Sequence, residues 1–378
     1  MSEIQAMISA GMEALRARDT ARAAECLREA AALAPASDIP WIALANAELA
    51  LGRPDAAEAA VDRQLALASR EVGALLLKGM LREQAGHARA ATSFYRAALN
   101  QAAFNGAVPP ELLTLHDRAR RYCASATDDF GAHLVGVLGD DLSPAMVEAV
   151  ELLTGKRQIY LQQPSAFYYP GLPQRRFYEP EEFSWFEPML ALIPEMQAEL
   201  AAMSSADSPR DDGFAPYVTT NPDRPAPNNP LRDDPAWSAL YFWRDGEVVT
   251  ANATKCPATM AALAHAPMPS IPGRSPNAHW SRLLPGAHIA PHTGMLNTRL
   301  ICHIPIVIAP GCTLRVGSET REWIGGVPLI FDDSIEHEAR NAGPHERVVL
   351  LFEIWRPEID AADRAAIGRI FQAIGDFS

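Results

Sequence analysis

The chain has 378 residues, 48% hydrophobic and 21% charged, which is enough for two domains with separate cores. Its formal net charge of −13 argues against a broad nucleic-acid or anionic-membrane surface, while leaving room for a small basic pocket. No apolar run reaches the roughly 18 residues of a membrane span, Met1-Ser2-Glu3-Ile4 does not open a signal peptide, and five scattered cysteines without a CxxC pair suggest neither a zinc site nor a disulfide framework, so a reducing cytoplasm is the expected compartment.

The first hundred residues repeat with a period of 34. Gly11, Ala45 and Gly79 share one phase, Ala23, Ala57 and Ala91 another, and Arg18, Gly52 and Gly86 fall at the turn between them. Cys26, Ala60 and Phe94 keep a fourth phase, and Met7, Trp41 and Leu75 a fifth. Small residues on facing helices let the backbones approach, and larger apolar ones fill the groove between repeats. The pattern resembles three tetratricopeptide (TPR) units, with Pro35 as the sole final-position proline. Such a stack presents a concave face to a peptide or protein, or serves only as a stabilising cap. Helices over Pro110–Ala126 and Ala145–Leu153 are predicted to close it, which makes residues 1–155 the helical domain and 156–378 the second.

From about Arg157 prolines and aromatics become dense. Tyr169-Pro170-Gly171-Leu172-Pro173-Gln174 excludes a regular element. A helix is predicted from about Pro180 to Met203, then a long loop over 204–232, a strand over Trp237–Trp243 and a turn at Asp245-Gly246. Beyond Ser281 short strands are predicted at His288–Pro291, Leu300–Ile308, Cys312–Val316, Thr320–Trp323, Pro328–Phe331 and Arg347–Trp355. The turns between them are Pro285-Gly286, Pro310-Gly311 and Gly325-Gly326, and many short strands suggest a barrel or jelly roll.

Two histidines stand out in this stretch, His292 and His337, with Arg347 opening an apolar strand ten residues after the second. A non-haem Fe(II) oxygenase needs protein ligands on one side of the metal, with the remaining positions open to a 2-oxoacid and O2. It also needs a fixed cation for the far carboxylate of 2-oxoglutarate, and the planar fork of arginine suits that task. A lone histidine is more often a structural residue than a ligand; the His…His…Arg set is what raises the functional reading.

The words Leu284-Pro285-Gly286-Ala287-His288, Pro291-His292-Thr293-Gly294, Arg321-Glu322-Trp323, Phe331-Asp332-Asp333-Ser334 and Trp355-Arg356-Pro357-Glu358, with the run Tyr169–Gln174 upstream, resemble the aspartyl/asparaginyl β-hydroxylase family. The likeness extends over about Tyr160 to Ile359. It implies a double-stranded β-helix (jelly-roll or cupin-like) fold behind TPR-like repeats. Fe(II) would be bound by His292 and His337, with 2-oxoglutarate and O2 as cosubstrates. Arg347 and Ser281 would hold the distal carboxylate of 2-oxoglutarate, and His303 its other carboxylate. Asp333 would orient metal-bound water, and Arg299 would face an acidic substrate group, with Trp243 as a further substrate contact. Most 2-oxoglutarate oxygenases carry Asp or Glu two residues after the first histidine; Gly294 stands here, as it does in the β-hydroxylases. Ile301 stands where the animal enzymes carry arginine, which removes a cation near the cofactor or substrate.

By this resemblance the expected activity is a dioxygenase hydroxylating the β-carbon of an Asp or Asn residue in a peptide or protein, with the substrate docked by the TPR face. Two alternatives stay open: a hydroxylase of a small molecule such as free aspartate or an acyl chain, and a catalytically inactive TPR scaffold. The joint presence of His292, His303, His337, Arg347 and Ser281 weighs against the last.

Overall fold

The computed structural model describes residues 3–33, 39–139, 141–204, 212–221, 225, 228–308 and 310–377. The chain divides into two compact units, Met1–Arg157 and Gln158–Ser378, two residues beyond the boundary expected from composition.

The first unit is built of helices: α1 (Glu3–Arg16), α2 (Thr20–Leu33), α3 (Trp41–Ala50), α4 (Pro54–Leu67), α5 (Val72–Gln84), α6 (Ala88–Asn105), α7 (Leu113–Leu138) and α8 (Pro144–Leu153). The first six form three helical hairpins whose second helices start at Thr20, Pro54 and Ala88, in step with the 34-residue sequence period. Arg18, Gly52 and Gly86 take left-handed φ values of 61°, 72° and 75° at the same point of each hairpin. Ala23, Ala57 and Ala91 are fully buried, as a close helix–helix approach requires. The approach is tightest at Gly79, where a β-carbon would stand 2.5 Å from the ring of buried Tyr95. The predicted Pro35 lies outside the described residues. The first capping helix runs past its predicted end at Ala126 to Leu138, since no proline interrupts it and Gly139, at φ 73°, ends it. Among the described residues no helix is long and apolar enough to cross a membrane.

The second unit contains the strands β1 (Phe177–Tyr178), β2 (Ala215–Pro216), β3 (Trp237–Arg244), β4 (Glu247–Val248), β5 (Ala278–Leu283), β6 (His288–His292), β7 (Arg299–Val307), β8 (Cys312–Val316), β9 (Glu319–Glu322), β10 (Leu329–Phe331), β11 (His337–Asn341) and β12 (Arg347–Trp355). Its helices are α9 (Phe186–Leu190), α10 (Ile193–Ser204), α11 (Thr250–Ala253), α12 (Pro257–Leu263) and α13 (Ala361–Phe377). The single helix predicted over 180–203 is broken. Pro180 starts a short 3-10 turn, and Pro188 and Pro194 remove the backbone donors that would carry one helix through.

All strand pairs are antiparallel, in a larger sheet ordered β1-β10-β7-β12-β5-β3-β2, with β4 on β3, and a four-stranded sheet ordered β6-β11-β8-β9. Alternation along the strands gives the large sheet two buried faces. Leu300, Cys302, Ile304, Leu350, Phe352 and Trp280 share one core with Phe186, Met189, Met196 and Leu263 from the helices. Ile301, Phe331, Val349, Leu283 and Trp237 share the other core with Ile289, Leu314, Val316 and Ala339 from the small sheet. The candidate site lies on this second face. Asp245 and Gly246, with φ of 53° and 87°, make the predicted turn between β3 and β4.

Candidate functional site

A cavity of about 300 Å³ opens on the face between the two sheets. It brings together His292, His337, Ser281, His303, Asp333 and Arg347, six of the eight residues singled out in the sequence.

His292 ends β6 and His337 begins β11, and the two are directly paired across the small sheet. That register puts their rings 4.2 Å apart, centre to centre. Each Nδ1 is satisfied by a backbone carbonyl two residues earlier, Ala290 for His292 at 2.9 Å and Ile335 for His337 at 3.1 Å. Nδ1–H donation fixes the tautomer and leaves Nε2 of both rings as a lone-pair donor. Burial lowers the pKa of both rings, that of His337 to about 3 with further help from neighbouring His292, so both are neutral at physiological pH. Two neutral imidazoles from adjacent strands could hold a metal ion. Among the described residues there is no group of three or more His, Cys, Asp or Glu side chains suited to the same task.

Arg347, the first residue of β12, is 1% exposed, and its Nε and Nη1 have no hydrogen-bond partner. Its guanidinium lies over the Trp323 ring, 4.7 Å from the centroid. Burial pushes its pKa down to about 10, which still leaves it charged at neutral pH. His303, from β7, is buried with both ring nitrogens unpartnered. Burial and, next, the Arg347 charge hold it well below the usual imidazole value, hence neutral. Ser281 on β5 is 2% exposed and faces the same space. An unpaired buried guanidinium is costly unless an anion completes it. With a neutral imidazole and a hydroxyl beside it, this end of the cavity could hold a small carboxylate.

Asp333 lies in the link between β10 and β11. Its Oδ1 is buried without a partner, and burial raises its pKa to about 6 against the opposing pull of Arg299. Gly294 donates its N–H to the Asp333 carbonyl at 2.6 Å. A β-carbon at Gly294 would stand 2.1 Å from Asp333 Oδ2, so glycine is required there for space.

The two expected substrate contacts, Arg299 and Trp243, are not in the cavity lining. Arg299, expected to face an acidic substrate group, is bonded through its guanidinium to Asp333 (3.1 Å) and to Glu353, with Nε unpartnered. Trp243 does not line the cavity. A bulge between Tyr241 and Trp243 pairs Trp243 with Ala278 and turns it onto the helix-covered core. Trp237, at the other end of β3, lines the cavity instead and stacks on Tyr217, ring centres 4.3 Å apart. Sequence reasoning also missed Glu353 and His279. A lone acid in the apolar run Arg347–Trp355 was the available signal for Glu353. His279 lies on β5, a strand the sequence reading did not delimit, with both ring nitrogens unpartnered and its pKa lowered by burial to about 3.

Comparison with known proteins places this geometry. Residues 194–357 match the family model described as Aspartyl/Asparaginyl beta-hydroxylase. The chain is 29% identical over 221 residues to aspartate beta-hydroxylase domain-containing protein 2 of Xenopus tropicalis, spanning 56% of this chain and 55% of that protein. It is 36% identical over 143 residues to human aspartyl/asparaginyl beta-hydroxylase, spanning 37% of this chain and 18% of the relative. The chain thus spans about half the length of the first relative and about a fifth of the second. Among solved structures, the Arabidopsis OM64 TPR domain is similar over 31% of this chain and 94% of its own, at 22% identity and a TM-score of 0.27.

Proposed function

We propose that the second unit, as a relative of the aspartyl/asparaginyl β-hydroxylases, is an Fe(II)- and 2-oxoglutarate-dependent dioxygenase with a double-stranded β-helix fold, acting on an Asp or Asn residue of a peptide or protein. The observation that carries the reading is the joint placement, in one cavity, of two neutral histidines whose Nδ1 atoms are held by backbone carbonyls and a buried guanidinium with two unpartnered nitrogens. Two antiparallel sheets that share a core support the fold part of the reading.

In this reading His292 and His337 hold the iron. Arg347 and Ser281 take the distal carboxylate of 2-oxoglutarate, with two guanidinium nitrogens still available for it. His303, neutral and unpartnered, takes the carboxylate end nearer the metal. The bound group supplies the oxidant that hydroxylates an unactivated carbon, while 2-oxoglutarate and O2 are consumed to succinate and CO2. The protein's own part is orientation. The paired strands β6 and β11 fix both imidazoles, the Trp323 ring fixes the guanidinium, and the apolar walls of Ile301, Leu351 and Phe331 limit water around the reacting carbon. Asp333 presents an unpartnered acceptor oxygen for water held at the metal. The TPR hairpins of the first unit are proposed to dock the peptide that carries the target residue.

The test is incubation of the full chain with Fe(II), 2-oxoglutarate, O2 and paired Asp- and Asn-containing peptides. A product heavier by one oxygen atom, formed with stoichiometric succinate, is expected. Absence of both product and peptide-independent 2-oxoglutarate consumption would refute the reading.

A further inference from the structure

We infer that Arg299 and the buried Glu353 form a clamp that positions the Asp333 carboxylate in the side-chain space of Gly294, so that Arg299 serves the site through Asp333. The inference rests on the proposed reading of the cavity as a metal and 2-oxoglutarate site.

Asp333 sits in a link with no strand partner of its own, so something else must fix its side chain. Arg299, at the start of β7, donates from Nη2 to Asp333 Oδ2 at 3.1 Å and from Nη1 to Glu353 Oε2. Glu353 is anchored in turn. It is 1% exposed on the central strand β12, next to β7, and its Oε1 accepts the Asn277 backbone N–H at 2.8 Å. The guanidinium fork is therefore shared between two carboxylates, one rigid and one on the link. The geometry of such a fork transmits orientation, which a point-like ammonium does less well.

Gly294 supplies the other half of the device. Its φ does not fall in the left-handed range, so conformation does not require glycine; space does, because a β-carbon would meet Asp333 Oδ2 at 2.1 Å and Cγ at 2.4 Å. The Gly294 N–H bond to the Asp333 carbonyl locks the two backbones together. The carboxylate thus reaches a position two residues beyond His292 from a different chain segment, and Arg299 is the side chain that ties it there. With Nη1 and Nη2 both engaged by carboxylates and only Nε unpartnered, Arg299 acts as a positioning residue.

The experiment uses full-length protein and Co(II) as a spectroscopic probe, titrated with 2-oxoglutarate present and no peptide. Arg299→Gln and Gly294→Ala are expected to weaken Co(II) about 10–100-fold, the usual loss when a group behind a metal site is removed. Arg299→Lys should recover only part of that loss. Arg299→Gln leaves two buried carboxylates uncompensated and can unfold the unit. The double variant Arg299→Met/Glu353→Gln removes one charge of each sign and leaves one buried carboxylate instead of two; it serves as the control, with a melting temperature closer to wild type than that of Arg299→Gln and weakened Co(II) expected. If the double variant folds and binds Co(II) like wild type, the clamp is refuted. It is refuted equally if Arg299→Gln raises the KM for peptide while Co(II) affinity and peptide-free 2-oxoglutarate turnover stay constant. Wild-type protein that binds no Co(II) overturns the reading of the site itself, a distinguishable result.

Discussion

Replacing Arg347 with methionine should stabilise the ligand-free protein while destroying its response to 2-oxoglutarate. The guanidinium is buried with two unpartnered nitrogens, and burial pushes its pKa down to about 10. Against the ordinary arginine range that displacement corresponds to about 3 kcal/mol by which the empty site disfavours the charged form. The folded value lies below the unfolded one, so this penalty is complete at neutral pH and is relieved only as pH rises past about 10. Methionine loses the stacking over Trp323, worth about 1–2 kcal/mol. The net expectation is a gain of about 1–2 kcal/mol, or roughly 2–4 °C in Tm for each kcal/mol in a unit of this size. Wild type should instead gain about 2.7 kcal/mol when 2-oxoglutarate reaches 100 times its Kd, and the variant nothing. Thermal unfolding of both proteins, with and without Co(II) and 2-oxoglutarate, measures all four states. A variant destabilised by more than about 2 kcal/mol, well past the lost stacking, would show that Arg347 has an internal partner and would refute the reasoning.

His337→Ala should abolish Co(II) binding and hydroxylation together; retained turnover in that variant would remove His337 from the metal site. The pKa values of His279 and His337 are lowered from 6.5 to about 3, chiefly by burial, so the unfolded chain binds more protons than the folded one between those values. Stability of the metal-free protein should accordingly fall as pH drops below 6.5, and His279→Leu should shrink that slope; urea midpoints that stay level from pH 7 to pH 5 would contradict it. In the first unit, Gly79→Ala should cost about 1–3 kcal/mol by pressing on Tyr95, whose ring is held by its hydroxyl's bond to Glu83 at 2.7 Å. Calorimetry should show that loss with Co(II) affinity unchanged, and an unaltered transition would deny the close approach.

How much of this was legible in the sequence depended on what kind of spacing carried it. The helical hairpins were readable because each contact is local and repeats every 34 residues, so Gly11, Ala45 and Gly79 announce one structural position three times. Strands β6, β7, β8 and β12 were readable from apolar runs between turn residues, each within about a residue of its observed ends. Strand β11 was not, because His337-Glu338-Ala339-Arg340-Asn341 carries polar residues on its outward positions and a single alanine in the core. Its pairing with β6, which aligns the two histidines, is a property of the sheet and not of either segment alone. The misplacement of Trp243 has the same origin. Period-two alternation puts residues 237 and 243 on one face, and a single bulge reverses the second. Arg299 was read as a free cation because its two partners, Asp333 and Glu353, lie 34 and 54 residues away.

Several of the unit's unsatisfied buried groups converge on one cavity, while others, such as both ring nitrogens of His279 and Nε of Arg299, lie outside its lining. Arg347 Nε and Nη1, both nitrogens of His303 and Asp333 Oδ1 are all buried, all unpartnered, and all on residues lining the same cavity. The buried pair Arg356 and Asp332, both 0% exposed, is by contrast completed: they bond to each other at 2.6 Å, and Asp332 also accepts from Gln162 and Ser334. A chain able to satisfy so demanding a pair does not leave a second guanidinium empty for want of partners. Leaving polar groups bare destabilises the empty protein, and the large sheet supports that deficit because both of its faces are packed, one against the helices and one against the small sheet. The bare groups comprise a cation, a neutral imidazole and a carboxylate oxygen beside two lone-pair nitrogens. In the proposed reading a dicarboxylate beside a metal ion would complete that set.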